Sequence, residues 1–397
     1  MEKLAIFGGV PIREKAIYYG RQCIEQDDID AVTETLRSEL ITCGPKVAEL
    51  ENRLCQITGA KYAVAVANGT GALHIAALAA GFQKGDEVIV SSITFAASAN
   101  CVLYCGAKPV FADIRQDTYN IDPAQVRKLI TDRTKGIIAV DFTGQAVELD
   151  EIREIAKEHN LVLIEDAAHA IGTKYKGVPI GSISDMTCFS FHPVKTVTGG
   201  EGGAVTTNDE GLYRKLLRLR THGITRDAAE MKHPTDALWY NEMVELGFNY
   251  RMTDFQAALL CSQLNKLNRF SSRRKEIVKR YDAAFGTMPE IIVQREIPES
   301  DTTRHLYVIR LNLDLLKCDR RQFFDALYAE NVCPQVHYLP VYMHAYYEGL
   351  GYKKGICKEA ESYYESSMSI PCYPGLTDDD IDSVIAAVKK VINYYRK

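Results

Sequence analysis

Lys195 stands in the stretch Ser190-Phe191-His192-Pro193-Val194-Lys195-Thr196-Val197-Thr198-Gly199-Gly200-Glu201-Gly202-Gly203. This is a short turn between two apolar, strand-like runs, Met186 to Phe191 and Gly203 to Thr207. Upstream, Glu165-Asp166-Ala167-Ala168-His169 comes after a run that reads as a buried strand, Leu161 to Ile164. A lysine amine can form a Schiff base with an aldehyde, and a carboxylate can hold a pyridine nitrogen protonated. That pair is what pyridoxal phosphate (PLP) chemistry requires of a protein. Most lysines are solvated surface charges. Here Phe191, Pro193 and Val194 precede the lysine and a run of small residues succeeds it. Burial in such company lowers the amine's pKa and frees it for nucleophilic work. Asp166 alone reads equally well as the cap of a helix opening at Ala167, and Glu165 is as good an acid. Only the pairing with Lys195 favours Asp166. His169 fits beside a cofactor ring, and it fits as well as a hydrogen-bonded core histidine.

Asn68-Gly69-Thr70-Gly71 lies between a strand-like run, Tyr62 to Ala67, and the helical stretch Ala72 to Ala80. Glycines there let backbone N–H groups face open space, and a helix N-terminus adds partial positive charge. The turn can therefore cup a phosphate, with the Thr70 hydroxyl as an extra donor. It can also be an ordinary turn with Thr70 as the helix cap. It is not a dinucleotide fingerprint, because no Gly-x-Gly-x-x-Gly can be read. A nicotinamide oxidoreductase fails on that ground.

The elements that must position these residues alternate. Strands are expected at Glu87 to Val90, Pro109 to Ala112 and Gly136 to Asp141, and helices from about Phe95 to Tyr104 and at Asp150 to His159. Continuously apolar strands alternating with helices predict an α/β fold with a mostly parallel sheet, covered on both faces. Past residue 255 the pattern changes. Phe255 to Ala283 reads as one long charged helix that bridges two lobes. Strands at His305 to Leu313 and Cys333 to Tyr338, with helices at Arg320 to Glu330 and Asp378 to Tyr394, predict a smaller α+β domain. The expected division is a large PLP-binding domain over 1–265 and a small one over 266–397, with the N-terminal segment on the small domain. The stretch Ile224 to Glu245, with Pro234 and Trp239, reads as the least regular.

A net charge of −5 gives no footprint for nucleic acid or an anionic membrane. The start of the chain lacks a long apolar core, so no signal peptide is expected, and no run of about 18 apolar residues predicts a membrane span. The 11 cysteines include no Cys-x-x-Cys pair. Reduced thiols, no metal site and a cytoplasmic location are expected.

Taken in order, these motifs resemble the DegT/DnrJ/EryC1/StrS family of sugar aminotransferases. The likeness runs the full length: Gly8-Gly9-Val10-Pro11, Asn68-Gly69-Thr70-Gly71-Ala72-Leu73, Gly85-Asp86-Glu87-Val88-Ile89, Glu165-Asp166-Ala167-Ala168-His169, the Lys195 segment, and Gly247-Phe248-Asn249-Tyr250-Arg251-Met252-Thr253-Asp254-Phe255-Gln256-Ala257. The resemblance implies a fold-type I, PLP-dependent transaminase. Lys195 would be the Schiff-base partner and proton shuttle, and Asp166 the partner of the pyridine nitrogen. Thr70, Gly71 and Ser190 would hold the phosphate. Phe95 would stack on the ring, and His169, where some relatives have glutamine, would reach its 3′ oxygen. Asn249 would reach the phosphate of a neighbouring subunit, implying a homodimer with shared sites. Val140-Asp141-Phe142-Thr143-Gly144-Gln145, Phe189-Ser190-Phe191-His192 and Val332 to Tyr342 liken the chain to C4 aminotransferases of UDP-4-keto sugars, the pseudaminic acid type. That likeness implies glutamate as amino donor, a UDP-linked 4-keto-6-deoxy-N-acetylhexosamine as acceptor, and substrate contacts at His192, Arg251, His337 and Tyr338. Other nucleotide-linked keto sugars (4-keto-arabinose, dTDP-4-keto-6-deoxyglucose, a 3-keto sugar) stay open, as does a non-catalytic PLP-binding regulator. Retention of Lys195 argues against the regulator, and against the family's dehydratases, which carry histidine there.

Overall fold

Five strands that the sequence leaves apolar along most of their length, Glu87–Ser91, Lys108–Ala112, Thr134–Val140, Val162–Asp166 and Met186–Ser190, lie side by side and parallel. This computed structural model describes residues 3–233, 235 and 237–397. Gly203–Thr207 joins antiparallel to Met186–Ser190, and Tyr62–Val66 closes that edge, antiparallel in turn to Gly203–Thr207. The result is a seven-stranded, mostly parallel sheet. Side chains alternate across it, as the two-residue period of a strand requires. Val64, Val88, Ile138, Ile164 and Cys188 pack into one core, and Ala63, Ile89, Ile137, Leu163 and Phe189 into the core on the opposite face. A sheet covered on both sides can carry few polar residues, so the polar ones that remain near its strand ends carry information.

A three-stranded antiparallel sheet, Ile291–Val293, Tyr307–Leu311 and Ser367–Ile370, anchors a third core with the helices Arg320–Ala329 and Asp378–Tyr395. Leu4 and Ile17 are buried in that same core. Ile17–Tyr18 pairs with Val332–Cys333, and the Glu330 carboxylate accepts the Ala5 and Ile12 amides, each at 2.9 Å.

Four expectations need correction. The Asp166 strand runs through Glu165 to Asp166, and the chain then enters a turn, with Ala170 N–H on the Ala167 carbonyl, rather than a helix. The single long helix is two, Asp254–Leu264 and Leu267–Phe285. At the break, Asn265 and Lys266 donate to Ser262 and Gln263, three residues back, tightening the turn. The Lys266 ammonium is drawn into the acidic start of helix Gln26–Leu36, 2.6 Å from Asp27 and 2.7 Å from Asp28. The strand expected from Cys333 to Tyr338 stops at Cys333, because Pro334 has no N–H to continue a ladder. The segment beyond is loop. The Phe95 helix begins at Ala97.

In the least regular stretch, Ile224–Thr225 pairs with Glu242–Met243. Pro234, with Met1, Glu2 and Asp236, lies outside the described residues. All eleven cysteines are free thiols. Among the described residues no cluster of three or more His, Cys, Asp or Glu could hold a metal, and no helix is long and apolar enough to cross a membrane.

Candidate active site

Asp166 ends a central strand, where open α/β sheets bind their ligands. It shares a face with Ile164, while Glu165 turns with Leu163 to the other. There Glu165 accepts the Ser184 hydroxyl at 2.9 Å and the Thr187 hydroxyl at 3.2 Å. The two acids that the sequence left as alternatives are therefore on opposite sides of the sheet. Asp166 is 5% exposed. Its Oδ2 accepts the Ser98 hydroxyl at 2.6 Å and its Oδ1 the Ala168 amide at 3.1 Å. Burial raises its pKa; the two donors and the charge of Lys195 oppose that rise.

Lys195 sits in a loop closed on itself. Phe191 N–H bonds the Gly202 carbonyl at 2.8 Å, Gly199 N–H the Phe191 carbonyl at 3.0 Å, and Lys195 N–H the His192 carbonyl at 2.9 Å. The Thr198 hydroxyl donates to the Phe191 carbonyl at 3.1 Å. Gly200 makes the reversal with φ at +79°, a conformation that side chains resist. The loop holds Lys195 half-buried, and burial pushes its amine down to about 8, with Asp166 pulling the other way.

Three buried histidines face this lysine. His169 lies 3.4 Å from the Tyr338 hydroxyl through Nε2, and its ring stands 4.5 Å from that of His305. Burial first, then the charges of Lys195 and His337, holds His169 well below the usual range, so its ring is neutral. His337 is pushed down to about 3 by burial and Lys195, and its Nδ1 is 2.9 Å from the Ser369 hydroxyl. Tyr338 brings its ring to 6.1 Å from that of Phe95, which is 61% exposed in the single chain. His305 lies in the loop before the Tyr307 strand, and the sequence offered no sign that it would reach His169. Ser98 was also missed. Its signal was the one-turn spacing from Thr94, with which it shares a 2.6 Å contact.

The cup forms where the helix Gly69–Ala79 meets the end of the Lys195-bearing sheet. Its cap is Asn68, not Thr70: the Asn68 side chain accepts the Gly71 amide at 2.8 Å. Gly71 is buried, and its N–H is thereby taken. The first-turn amides of Gly69 and Thr70 have no intrahelical carbonyl to reach, and Thr70 is exposed. Ser190 closes the cup so tightly that a Cβ on Gly69 would stand 2.8 Å from the Ser190 Cβ.

Asn249 is exposed and pairs with Thr221 through a single bridge. It does not cap the next helix, which Thr253 caps, its N–H 3.2 Å from the Gln256 side-chain oxygen. The segment packs on its own chain's cup: the Tyr250 carbonyl accepts the Ala67 amide at 2.8 Å. Arg251 is half-buried and His192 exposed. The structure thus gathers Lys195, Asp166, His169, His337, Tyr338 and Phe95 in one cluster, and Thr70, Gly71 and Ser190 in a cup whose Ser190 ends the strand leading into the Lys195 loop.

A model of the DegT/DnrJ/EryC1/StrS aminotransferase family matches residues 22–389. The spore coat polysaccharide biosynthesis protein SpsC of Bacillus subtilis is 41% identical, over 96% of this chain and 98% of its own. The UDP-4-amino-4,6-dideoxy-N-acetyl-beta-L-altrosamine transaminase of Campylobacter jejuni is 38% identical, over 94% and 99%. Among solved structures, Helicobacter pylori PseC, an aminotransferase involved in the biosynthesis of pseudoaminic acid, superposes with a TM-score of 0.89 at 31% identity, covering 96% of this chain and 100% of that one. Spr1654 of Streptococcus pneumoniae, in its PLP form, gives 0.88 at 31%, covering 96% and 99%. The residues present fit that cofactor. They offer a lysine amine close to neutrality, a buried carboxylate, and a glycine-walled cup. His169 Nδ1 and Thr196 Oγ1 are buried polar atoms with no partner among the described residues. On sequence, fold and site chemistry alike, the chain belongs to the DegT/DnrJ/EryC1/StrS family of PLP-dependent aminotransferases.

Proposed function

We propose that this aminotransferase takes an amino group from glutamate and delivers it to C4 of a UDP-linked 4-keto-6-deoxy-N-acetylhexosamine. The product would be that of the altrosamine transaminase to which the chain is 38% identical. The observation that carries the amino transfer is Lys195: an amine lowered to about 8, in a closed loop, electrostatically coupled to a buried carboxylate. When bound, PLP supplies an aldehyde that accepts the amino group and a ring that accepts the electron pair left behind. Lys195 Nζ would hold the cofactor, and as a free amine would carry the proton to and from the substrate carbon. Asp166 would keep the ring nitrogen protonated. The amides of Gly69 and Thr70 and the hydroxyls of Thr70 and Ser190 would hold the phosphate, Gly71 serving as the helix's anchored first turn. Neutral His169 would lie beside the ring, with its Nδ1 as donor or acceptor. His337 and Tyr338, with His192 and Arg251, line the sugar side.

The choice of sugar rests on the likeness to the Campylobacter enzyme and to PseC. The greater identity to a spore coat polysaccharide protein keeps another nucleotide-linked keto sugar as the second reading. A panel of UDP- and dTDP-4-keto sugars, with glutamate as donor and mass analysis of products, separates them. Amination of the UDP-N-acetyl sugar alone supports the first reading; amination of the dTDP sugar alone replaces it.

We also propose a homodimer with shared sites. Its support is the exposure of Leu238 at 96%, Trp239 at 83% and Leu246 at 75%, on the same chain region as the exposed Asn249. For the division of the chain, we propose a large unit over 1–265, its N-terminal segment packed on the small one, and a small unit over 266–397. The helix break at Asn265-Lys266 and the separate core around Tyr307 support it.

A further inference from the structure

Asp166 cannot be explained by its own strand. A buried carboxylate drifts toward its neutral form, because burial disfavours charge. A neutral acid here would fail to hold a pyridinium. The Ser98 hydroxyl, the Ala168 amide and the charge of Lys195 offset the burial, and a second hydroxyl stands behind that of Ser98. Ser98, fully buried, donates to Asp166 Oδ2 at 2.6 Å. Thr94, 2% exposed, stands 2.6 Å from the same Ser98 oxygen. A hydroxyl has one proton and two acceptor positions. An ionised carboxylate accepts only, so the Ser98 proton must lie on Asp166. The Thr94 proton must then lie on Ser98. The Phe95 carbonyl competes for the Ser98 proton only from a longer 3.3 Å. Donation by Thr94 fills Ser98's acceptor side and strengthens the bond beyond it. The arrangement arises from local geometry: Thr94 and Ser98 are four apart across the turn that opens helix Ala97–Tyr104, so they meet on one side.

We propose that Thr94 and Ser98 form a one-way hydroxyl relay that keeps Asp166 ionised and aimed, and through it sets how tightly this protein holds PLP. The inference rests on the reading of Asp166 as the partner of the ring nitrogen. Both are positioning residues, since neither touches the reacting atoms.

The test is the PLP dissociation constant of the cofactor-free protein, titrated by fluorescence quenching. Ser98→Ala should raise it about tenfold, the weight of a hydrogen bond to a charged group. Thr94→Val, which keeps the shape and removes the hydroxyl, should raise it about threefold. Thr94→Ser should restore the wild-type value. A relay makes the effects non-additive: Ser98→Ala with Thr94→Val should bind no worse than Ser98→Ala alone. In an Asp166→Asn background Ser98→Ala should have no further effect. A structural role alone would lower the melting temperature and leave the dissociation constant in place. If Ser98→Ala does not fold, Thr94→Val decides by itself. Wild-type affinity in a folded Ser98→Ala or Thr94→Val protein, or additive losses in the double variant, overturns the relay. Wild-type binding and turnover in Asp166→Asn overturns instead the reading of Asp166 on which it rests. Impaired Asp166→Asn beside unaffected Ser98→Ala removes the relay alone.

Discussion

At the scale of the residue, the environment of Lys195 is what fits this amine for nucleophilic work. An ordinary lysine titrates near 10.5, and this one is brought to about 8 by burial against the pull of Asp166. The sign gives a prediction. Below pH 8 the amine is an ammonium and cannot attack an aldehyde; above it the amine is free. The rate at which cofactor-free protein captures PLP should therefore rise with pH and level off above about 8, as read by absorbance in stopped flow. A rise continuing past about pH 10 would mean that Lys195 titrates like a surface lysine. In the proposed function Lys195 is also the proton carrier. Lys195→Ala should lose at least about 10⁴-fold in turnover, while its circular dichroism and melting temperature stay close to wild type. Turnover near the wild-type rate would remove Lys195 from the chemistry.

At the scale of the element, strand ends and helix starts bring these residues to one place. The fit between Gly69 and Ser190 shows how narrow the tolerance is. A Cβ at residue 69 would enter at 2.8 Å from Ser190 Cβ, so strand end and helix start would have to part. Gly69→Ala should cost about 1–3 kcal/mol of stability from overpacking, measured by denaturant titration, and should weaken PLP retention. Unchanged stability and retention would mean that the cup is loose enough to admit a methyl group. Much of this layer was legible in the chain. The apolar strands and the Lys195 turn announced themselves by composition, because a sheet covered on both faces leaves little choice of side chain. Asp166 over Glu165 was not decided by composition; it took the alternation of the strand, which the sequence had ended two residues early. The cap at Asn68 was misread because Thr70 is an equally good capping residue type, and only the helix's true start separates them. The break at Lys266 was hidden because its cause, the acids Asp27 and Asp28, lies far away in sequence. His305 met the same limit, since it reaches the site through a tertiary contact of which periodicity carries no trace; Ser98 left only its one-turn spacing from Thr94, and His337 and Tyr338 were reached by resemblance rather than by pattern.

At the scale of the whole molecule, the single chain leaves its site open on one side. Phe95, which the proposed site would use as a stacking ring, is exposed, and Asn249 is exposed beside the cup. Apolar side chains as exposed as Leu238 and Trp239 cost free energy unless something covers them, and a second copy of this chain would cover them symmetrically. If Asn249 reaches the partner's phosphate, each site needs both subunits, and complementation tests it. A Lys195→Ala chain and an Asn249→Ala chain are each impaired as homodimers. In a mixed dimer both lesions fall in one site and the other is whole. Refolded one-to-one mixtures should then recover about a quarter of wild-type turnover, since half of the dimers are mixed and each has one intact site. Sites built within one subunit would instead show only the average of the two mutant homodimers. PLP retention by Asn249→Ala alone gives the independent check: loss of cofactor on gel filtration agrees with a phosphate contact, and full retention with no recovery on mixing would leave each chain to make its site alone.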